Sequence, residues 1–178
     1  MASEVERPAY LFISAKYPGL GPYESWLWTQ FLRKTHLTFT KIEYNVRVGP
    51  GYDPGPKYPD YIREMALALT KLKIDAVGHR RHEIIIFEIK PRAGRSALGQ
   101  IISYLEWYIR DYKPTKPVRG AVVCEFVDPN LEPIFMRRGI QLYILGEGRY
   151  SSDRFARKRR QEIIRRFFSR GGVGSIYR

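Results

Sequence analysis

The segment LKIDAVGHRRHEIIIFEIK, residues 72–90, determines much of the fold. Its two apolar ends flank a polar middle, which predicts two strands, at 72–77 and 83–90, joined by a tight turn. Ile84 to Phe87 form an uninterrupted run of large apolar residues, typical of a strand buried inside a sheet. We expect Pro91 to end the second strand, because proline cannot donate to a ladder.

Three charged residues interrupt this apolar pattern. Asp75 lies inside the first strand, while Glu88 and Lys90, two positions apart on the second, point to the same face. Burying such groups is unfavourable, so their presence calls for a reason. Phosphodiester hydrolysis supplies one, because two carboxylates can hold Mg²⁺ or Mn²⁺ and a lysine can act on the water or the phosphate. The main-chain carbonyl of Ile89 is a candidate third metal ligand.

The remaining sequence predicts a mixed α/β domain with a central sheet of four or five strands flanked by helices. Apolar residues at helical spacing predict helices at 23–35, 60–70 and 96–112. Alternation or apolar runs predict further strands at 37–48, 118–126 and 140–145. Residues 1–20 are expected to be irregular, and 49–59, with three glycines and four prolines, to form a loop.

The charge of the chain is strongly positive and unevenly distributed. The net charge is +13 and the pI about 10, as in proteins that bind polyanions. Residues 149–178 contain ten Lys or Arg and two Asp or Glu, a net of +8. We therefore expect a core domain over 1–148 and a basic C-terminal helical arm over 149–178, with its helix at 151–169.

This arm could track along DNA, dock onto another protein or lie on an anionic membrane. Its candidate nucleic-acid contacts are Arg157, Lys158, Arg159 and Arg160. Five apolar residues are available for docking: Phe155, Ile163, Ile164, Phe167 and Phe168. No segment approaches the roughly 20 apolar residues of a membrane helix, and no secretory signal is recognisable. The single cysteine, Cys124, suits a reducing compartment, so we expect a cytoplasmic location.

The spacing of Asp75, twelve further residues and then Glu88-Ile89-Lys90 resembles the PD-(D/E)xK nuclease motif. Gln100 and Tyr104 resemble the Q-x-x-x-Y element of its RecB-like and Cas4-like branch. Glu24 resembles the acidic residue on the first core helix of several branches, including Holliday-junction resolvases, with Glu43 and Glu64 as the alternatives. Ile74 stands where the motif has proline.

This resemblance implies a restriction-endonuclease-like core over 23–126, with the helix at 60–70 as an insertion. It implies a Mg²⁺- or Mn²⁺-dependent DNA nuclease. Glu24, Asp75, Glu88 and the carbonyl of Ile89 would bind metal. Lys90 would act on the nucleophile or the phosphate, and Gln100 would support the site.

Three further residues are candidates for substrate contact. Arg92 and Arg95 lie where the second strand leads into the next helix, so that they and the first amides of that helix could meet a DNA phosphate. The resemblance implies that Tyr104 either packs or contacts substrate. No helix-turn-helix or zinc-finger spacing supports a transcription-type DNA binder.

The alternative is a catalytically idle nuclease-fold protein that binds DNA or assembles into a phage virion. The chain length and the segments 21–24 and 88–94 resemble phage proteins of this fold that act in genome processing or head completion. In that case the basic arm would dock onto a larger viral or repair assembly. The location would be the host cytoplasm or the virion.

Overall fold

The structure, a computed structural model, describes residues 5–146, 161–166 and 169. The helices and strands follow in chain order: β1 (Arg7–Pro8), a 3-10 helix (Ala9–Phe12), α1 (Pro22–Lys34), β2 (Thr38–Phe39), β3 (Lys41–Val48), α2 (Asp60–Thr70), β4 (Leu72–His79), β5 (Ile84–Ala93), α3 (Arg95–Tyr112), β6 (Val118–Val127), α4 (Glu132–Arg137) and β7 (Gln141–Ile144). The predicted α/β class is therefore confirmed.

The main sheet is mixed and has five strands in the order β3-β4-β5-β6-β7. The first two pairings are antiparallel, as the hairpin prediction requires, with Ala76 opposite Phe87. The last two pairings are parallel, with Lys90 opposite Cys124. A parallel neighbour needs a crossover connection, which α3 provides between β5 and β6.

A helix covers each face of this sheet, because side chains of the central strand β5 alternate between two hydrophobic clusters. Phe87 and Ile89 pack with α1, where Trp28 is fully buried. Ile86 packs on the other face with α3, through Ile101. Since Glu88 and Lys90 follow the period of Ile86, the packing directs them toward α3.

Three predicted boundaries differ in the structure. β5 continues through Pro91 to Ala93, so the prediction that proline ends it was wrong. Past Phe87, β5 pairs only with β6, and a strand with one neighbour tolerates a missing N–H. The predicted strand at 37–48 is divided at Thr40 into β2 and β3. Within the predicted irregular segment, Arg7–Pro8 pair with β2 and a 3-10 helix follows.

The β3–β4 pair changes faces in its middle. Tyr44 and Ala76 pack with the α1 cluster, whereas Val46 and Ile74, two residues away on each strand, pack with the α3 cluster. The ladder omits the intervening pair, and there Asn45 has a positive φ of 53°. Regular alternation would keep positions two apart on one face, so the backbone is turned over at Asn45 and its neighbour on β4.

Helix α2, at its predicted position, stands apart from the core. None of its residues is buried, and Met65 and Leu69 are 54% and 58% exposed. Further along the chain, residues 161–166 are helical, and Ile163 and Ile164 pack against the α1 cluster. Among the described helices, none has both the length and the apolar character to cross a membrane.

Candidate active site

The candidate site begins where β4 separates from β5. The ladder between them ends at the pair Ala76–Phe87, although Asp75 comes next on β4. There the side chain takes over the pairing, since the backbone N–H of Ile89 donates to Asp75 Oδ2 at 2.8 Å. A carboxylate thus stands where a backbone carbonyl would otherwise accept. This places Asp75 beside the end of β5 that carries Glu88 and Lys90.

Glu88 is the only charged residue among those classed as buried in the described part of the chain, at 1% exposure. Lys90 Nζ lies 2.6 Å from Glu88 Oε1 and forms an ion pair with it. Neither oxygen of Glu88 accepts a hydrogen bond of normal geometry from a residue that the structure describes. Buried carboxylates normally accept several hydrogen bonds, whereas Glu88 has only close polar contacts of poor geometry, with Lys90, Asp75 and Tyr104, and in this sense is under-coordinated.

Both carboxyls are harder to ionise than usual. Burial raises the pKa of Asp75, and the negative charges of Glu88 and Glu24 raise it further, against the opposing hydrogen bond from Ile89. Burial likewise raises the pKa of Glu88, and Glu24 adds to the effect, while Lys90 and a hydrogen bond with Asp75 oppose it. Burial is therefore the largest cause of both shifts, and neighbouring negative charge adds to it. The pair is therefore short of positive charge, despite the lysine.

A chain of hydrogen bonds links Lys90 to helix α3. Lys90 Nζ donates to Ser96 Oγ at 3.2 Å, and Ser96 Oγ donates to Gln100 Oε1 at 3.0 Å. Gln100 Nε2 then donates to Tyr104 Oη at 3.0 Å. Ser96, Gln100 and Tyr104 are spaced four apart, so they share one face of α3. Gln100 is thus connected to Lys90 through Ser96, a residue that was not among the predicted site residues.

Glu24 lies at the start of α1 and has a structural role there. Its Oε2 accepts the backbone N–H of Gly21 at 2.8 Å, which closes a capping box at the N-terminus of the helix. Its charge still reaches the site, since it raises the pKa of both Asp75 and Glu88. The alternatives lie elsewhere: Glu43 pairs with Lys41 and His79, and Glu64 is exposed on α2.

The residues fit a divalent cation through two carboxylates rather than three. No three His, Cys, Asp or Glu side chains within 5–146, 161–166 and 169 form a metal-binding group. Asp75 and Glu88 nevertheless supply the oxygen donors that Mg²⁺ and Mn²⁺ prefer, and Mg²⁺ usually keeps several waters with only one or two carboxylates. The under-coordinated oxygens of Glu88 are the observation that favours a cation here.

The predicted nucleic-acid contacts have different surroundings. Arg92 forms an ion pair with Asp128 at 2.7 Å, whereas Arg95 is exposed at the first position of α3. Tyr104 is 3% exposed, so its ring belongs to the core and only its hydroxyl is directed toward the site. The four basic residues predicted in the C-terminal arm, 157–160, lie outside the described residues.

Comparisons with protein-family models, with curated proteins and with solved structures gave no match for this chain.

Proposed function

We propose that this protein is a Mg²⁺- or Mn²⁺-dependent DNA nuclease with a restriction-endonuclease-like core and a PD-(D/E)xK site. The observation that supports this most is the convergence of Asp75, Glu88 and Lys90 at the point where β4 leaves β5, with Gln100 behind them. Two acids and a lysine stand together here, and one of the acids, Glu88, is a buried carboxylate without a hydrogen bond of normal geometry from the described residues, which is a costly arrangement.

The order of elements supports the same proposal. Helix α1, the strands β3, β4 and β5, helix α3 and strand β6 follow one another as in the core of that family, once α2 is set aside as an insertion. The exposure of α2 is consistent with an insertion, because its removal would uncover little of the core. This is an argument from resemblance, and the chemistry rests on the site.

Asp75 and Glu88 would hold the cation, together with the main-chain carbonyl of Ile89. When bound, Mg²⁺ or Mn²⁺ supplies positive charge that polarises the phosphate and lowers the pKa of a coordinated water. The negative charge of Glu24 strengthens the attraction of the site for a cation, although its carboxylate is occupied in capping α1. A bound cation would offset the raised pKa values of the two carboxyls.

Lys90 carries the next part of the chemistry. Its ammonium, held between Glu88 and Ser96, would orient the attacking water and offset negative charge on the scissile phosphate. Attack by the water oxygen forms a new P–O bond in line with the P–O bond that breaks, and the leaving oxygen takes up a proton from solvent. Gln100 fixes Ser96 and so limits the positions that the ammonium can take.

The substrate would approach the start of α3. The first N–H groups of a helix carry partial positive charge and are suited to a phosphate. Arg95, exposed at that helix start, would add a phosphate contact. Arg92 lies close by but shares its charge with Asp128, so its contribution to binding would be smaller.

The second candidate is a catalytically idle protein of the same fold that binds DNA or assembles into a phage virion. Two observations favour it: the described residues contain no three-ligand metal group, and Lys90 is already paired with Glu88. The basic arm would then connect the protein to a larger assembly. Against a wholly free arm, Ile163 and Ile164 pack back onto the core of this same chain.

The test is cleavage of linear and closed-circular DNA in Mg²⁺, Mn²⁺ or EDTA, for the wild type and for Lys90→Ala. We expect cleavage that requires both metal and Lys90, and cutting of the circle would identify an endonuclease. Arg138→Ala, exposed just after α4, is the control for loss of one positive charge and should leave cleavage intact. DNA that is bound but never cut would instead support the idle-protein candidate.

A further inference from the structure

A second candidate site lies at the opposite end of α3, in an open cleft of about 660 Å³. Its wall combines cationic and aromatic side chains, and those on which the inference depends are Arg47, Lys71, Trp107, Arg110 and Tyr112. Neither the motif nor the proposed chemistry uses these residues. The cleft is separate from the Glu88 site, which draws on the beginning of α3.

The electrostatics of the cleft favour an anion. Three cations, Arg47, Lys71 and Arg110, line it against a single carboxylate, Asp111. That carboxylate accepts the backbone N–H of Gly49 at 2.7 Å, so it has a structural role at the turn after β3. An excess of two positive charges in one concave surface suits a ligand that carries more than one phosphate.

The aromatic residues add a stacking surface. The guanidinium of Arg110 lies 5.1 Å from the ring centroid of Trp107, in a cation–π arrangement. Gly49 lies against the same indole, where even a methyl group would come within 3.5 Å of the ring. A guanidinium plane resting on an indole is a platform on which a nucleobase can stack, whatever its identity.

One residue of the cleft lies near Asp75 along the β3–β4 pair. Arg47 is opposite Lys73 in the ladder, and Lys73 is two residues before Asp75 on β4. Trp107 lies farther away, eleven residues after Ser96 on α3 and so about 16 Å along the helix axis, which a segment of several nucleotides could span. We propose that this cleft binds a segment of single-stranded nucleic acid, with phosphates on its cations and a base against Trp107 and Arg110.

The inference rests on the proposed function for the class of ligand, but its test does not depend on cleavage. The full chain is titrated in EDTA with a short, fluorescently labelled single-stranded DNA, and binding is followed by anisotropy at several salt concentrations. The same titration with RNA of equal sequence shows whether the cleft distinguishes the two. Lys71→Ala with Arg110→Ala removes two cleft charges, and Arg137→Ala with Arg138→Ala removes two exposed charges on and just after α4.

We expect the cleft double variant to weaken binding about ten-fold, and to reduce the slope of log K against log salt by about 1.4, or 0.7 per lost phosphate contact. The α4 variant should change affinity less than about two-fold. Equal losses in both double variants would overturn the proposal, because only the overall charge would then matter. An unchanged salt slope in the cleft variant would overturn it as well.

The stacking part is tested separately. Trp107→Ala should weaken binding about five-fold or more, while Trp107→Phe, which keeps a ring, should retain most of the affinity. Thermal unfolding of each variant identifies any loss of DNA binding that comes from misfolding. Trp107→Phe serves the same purpose, because it keeps an aromatic ring in the packing. Equal binding by wild type and a folded Trp107→Ala would refute stacking. Failure of Lys90-dependent cleavage would refute the nuclease and leave these binding results standing.

Discussion

The buried acidic pair makes a prediction about stability that needs no enzymatic assay. Replacing Asp75 by Asn keeps an oxygen that can accept the N–H of Ile89, while it removes one of two carboxyls whose pKa values are raised. A carboxyl with a raised native pKa binds its proton more tightly when folded. Its contribution to stability is therefore greatest below the unfolded pKa and is lost as the pH rises through the native one.

The expected size follows from this linkage. Each pH unit between the unfolded and native pKa of one carboxyl corresponds to about 1.4 kcal/mol of stability lost at high pH. The pKa of Asp75 is raised from an ordinary 3.8 to about 8, about four such units. Because Asp75 and Glu88 interact, we assign about half of this, about 3 kcal/mol, to Asp75, from which burying an unpaired Asn amide subtracts about 1–2 kcal/mol. Asp75→Asn should thus stabilise the metal-free protein by about 1–2 kcal/mol at pH 8, and at pH 4, where only the amide cost remains, it should destabilise it by about 1–2 kcal/mol.

Urea unfolding in EDTA between pH 4 and pH 8 measures this difference. The matched control is Asp53→Asn, because Arg63 holds the pKa of Asp53 low, at about 2, and its removal should lower stability. Saturating Mg²⁺ should reverse the order, since a cation at 100 times its Kd stabilises the wild type by about 2.7 kcal/mol and the variant much less. If Asp75→Asn is no more stable than the wild type at pH 8, then the ionised carboxyls of Asp75 and Glu88 do not destabilise the metal-free protein, and the reasoning is refuted.

Two further predictions concern the serine that contacts Lys90 and a glycine packed against the ring of Phe39. Ser96→Ala should lower metal-dependent cleavage about ten-fold with KM nearly unchanged, because it disconnects Lys90 from Gln100. Ser96→Thr keeps the hydroxyl and should restore most of the rate. A loss of cleavage that Ser96→Thr does not rescue would contradict this role. Gly78→Ala should destabilise the fold by about 1–3 kcal/mol, since the new Cβ would lie 2.5 Å from the ring of Phe39. Gly99→Ala on α3 should stabilise the fold slightly, because the new Cβ would have nothing within 4 Å and alanine favours a helix. Thermal unfolding of the two glycine variants gives the comparison, and equal effects would rule out the steric explanation.

Periodicity was sufficient for most of the fold. The apolar run at 84–87 predicted a central strand, and the spacing of Leu98, Ile101 and Leu105 predicted α3, because burial on one face leaves a regular trace in sequence. Pro91 misled the prediction for a physical reason. Proline interrupts a strand that has neighbours on both sides, but at Pro91 the β4–β5 ladder has already ended and β5 pairs only with β6. Where that ladder ends depends on the tertiary structure and cannot be read from the sequence around Pro91.

The acidic and basic residues of the candidate site could be proposed from the sequence, whereas the backbone geometry around them could be predicted only in part. Glu88 and Lys90 are two apart on a strand, so their common face followed from sequence alone. The capping role of Glu24 also has a local signal, as it stands three residues after Gly21 at a helix start with proline between them. The change of faces that β3 undergoes at Asn45 has no such signal in the sequence, since only a small fraction of asparagines adopt a positive φ.

The placement of the acids explains why the ladder breaks where it does. The β4–β5 pairing ends next to Asp75, whose side chain rather than a backbone carbonyl accepts the N–H of Ile89. The face change of β3 and β4 occurs at the same level, and Glu88 there has no hydrogen bond of normal geometry from the described residues. Each feature lowers stability, and all of them coincide at one point. Departures from favourable structure that gather in this way are expected where function requires them, and the cation site that we propose between the two strands would be such a requirement.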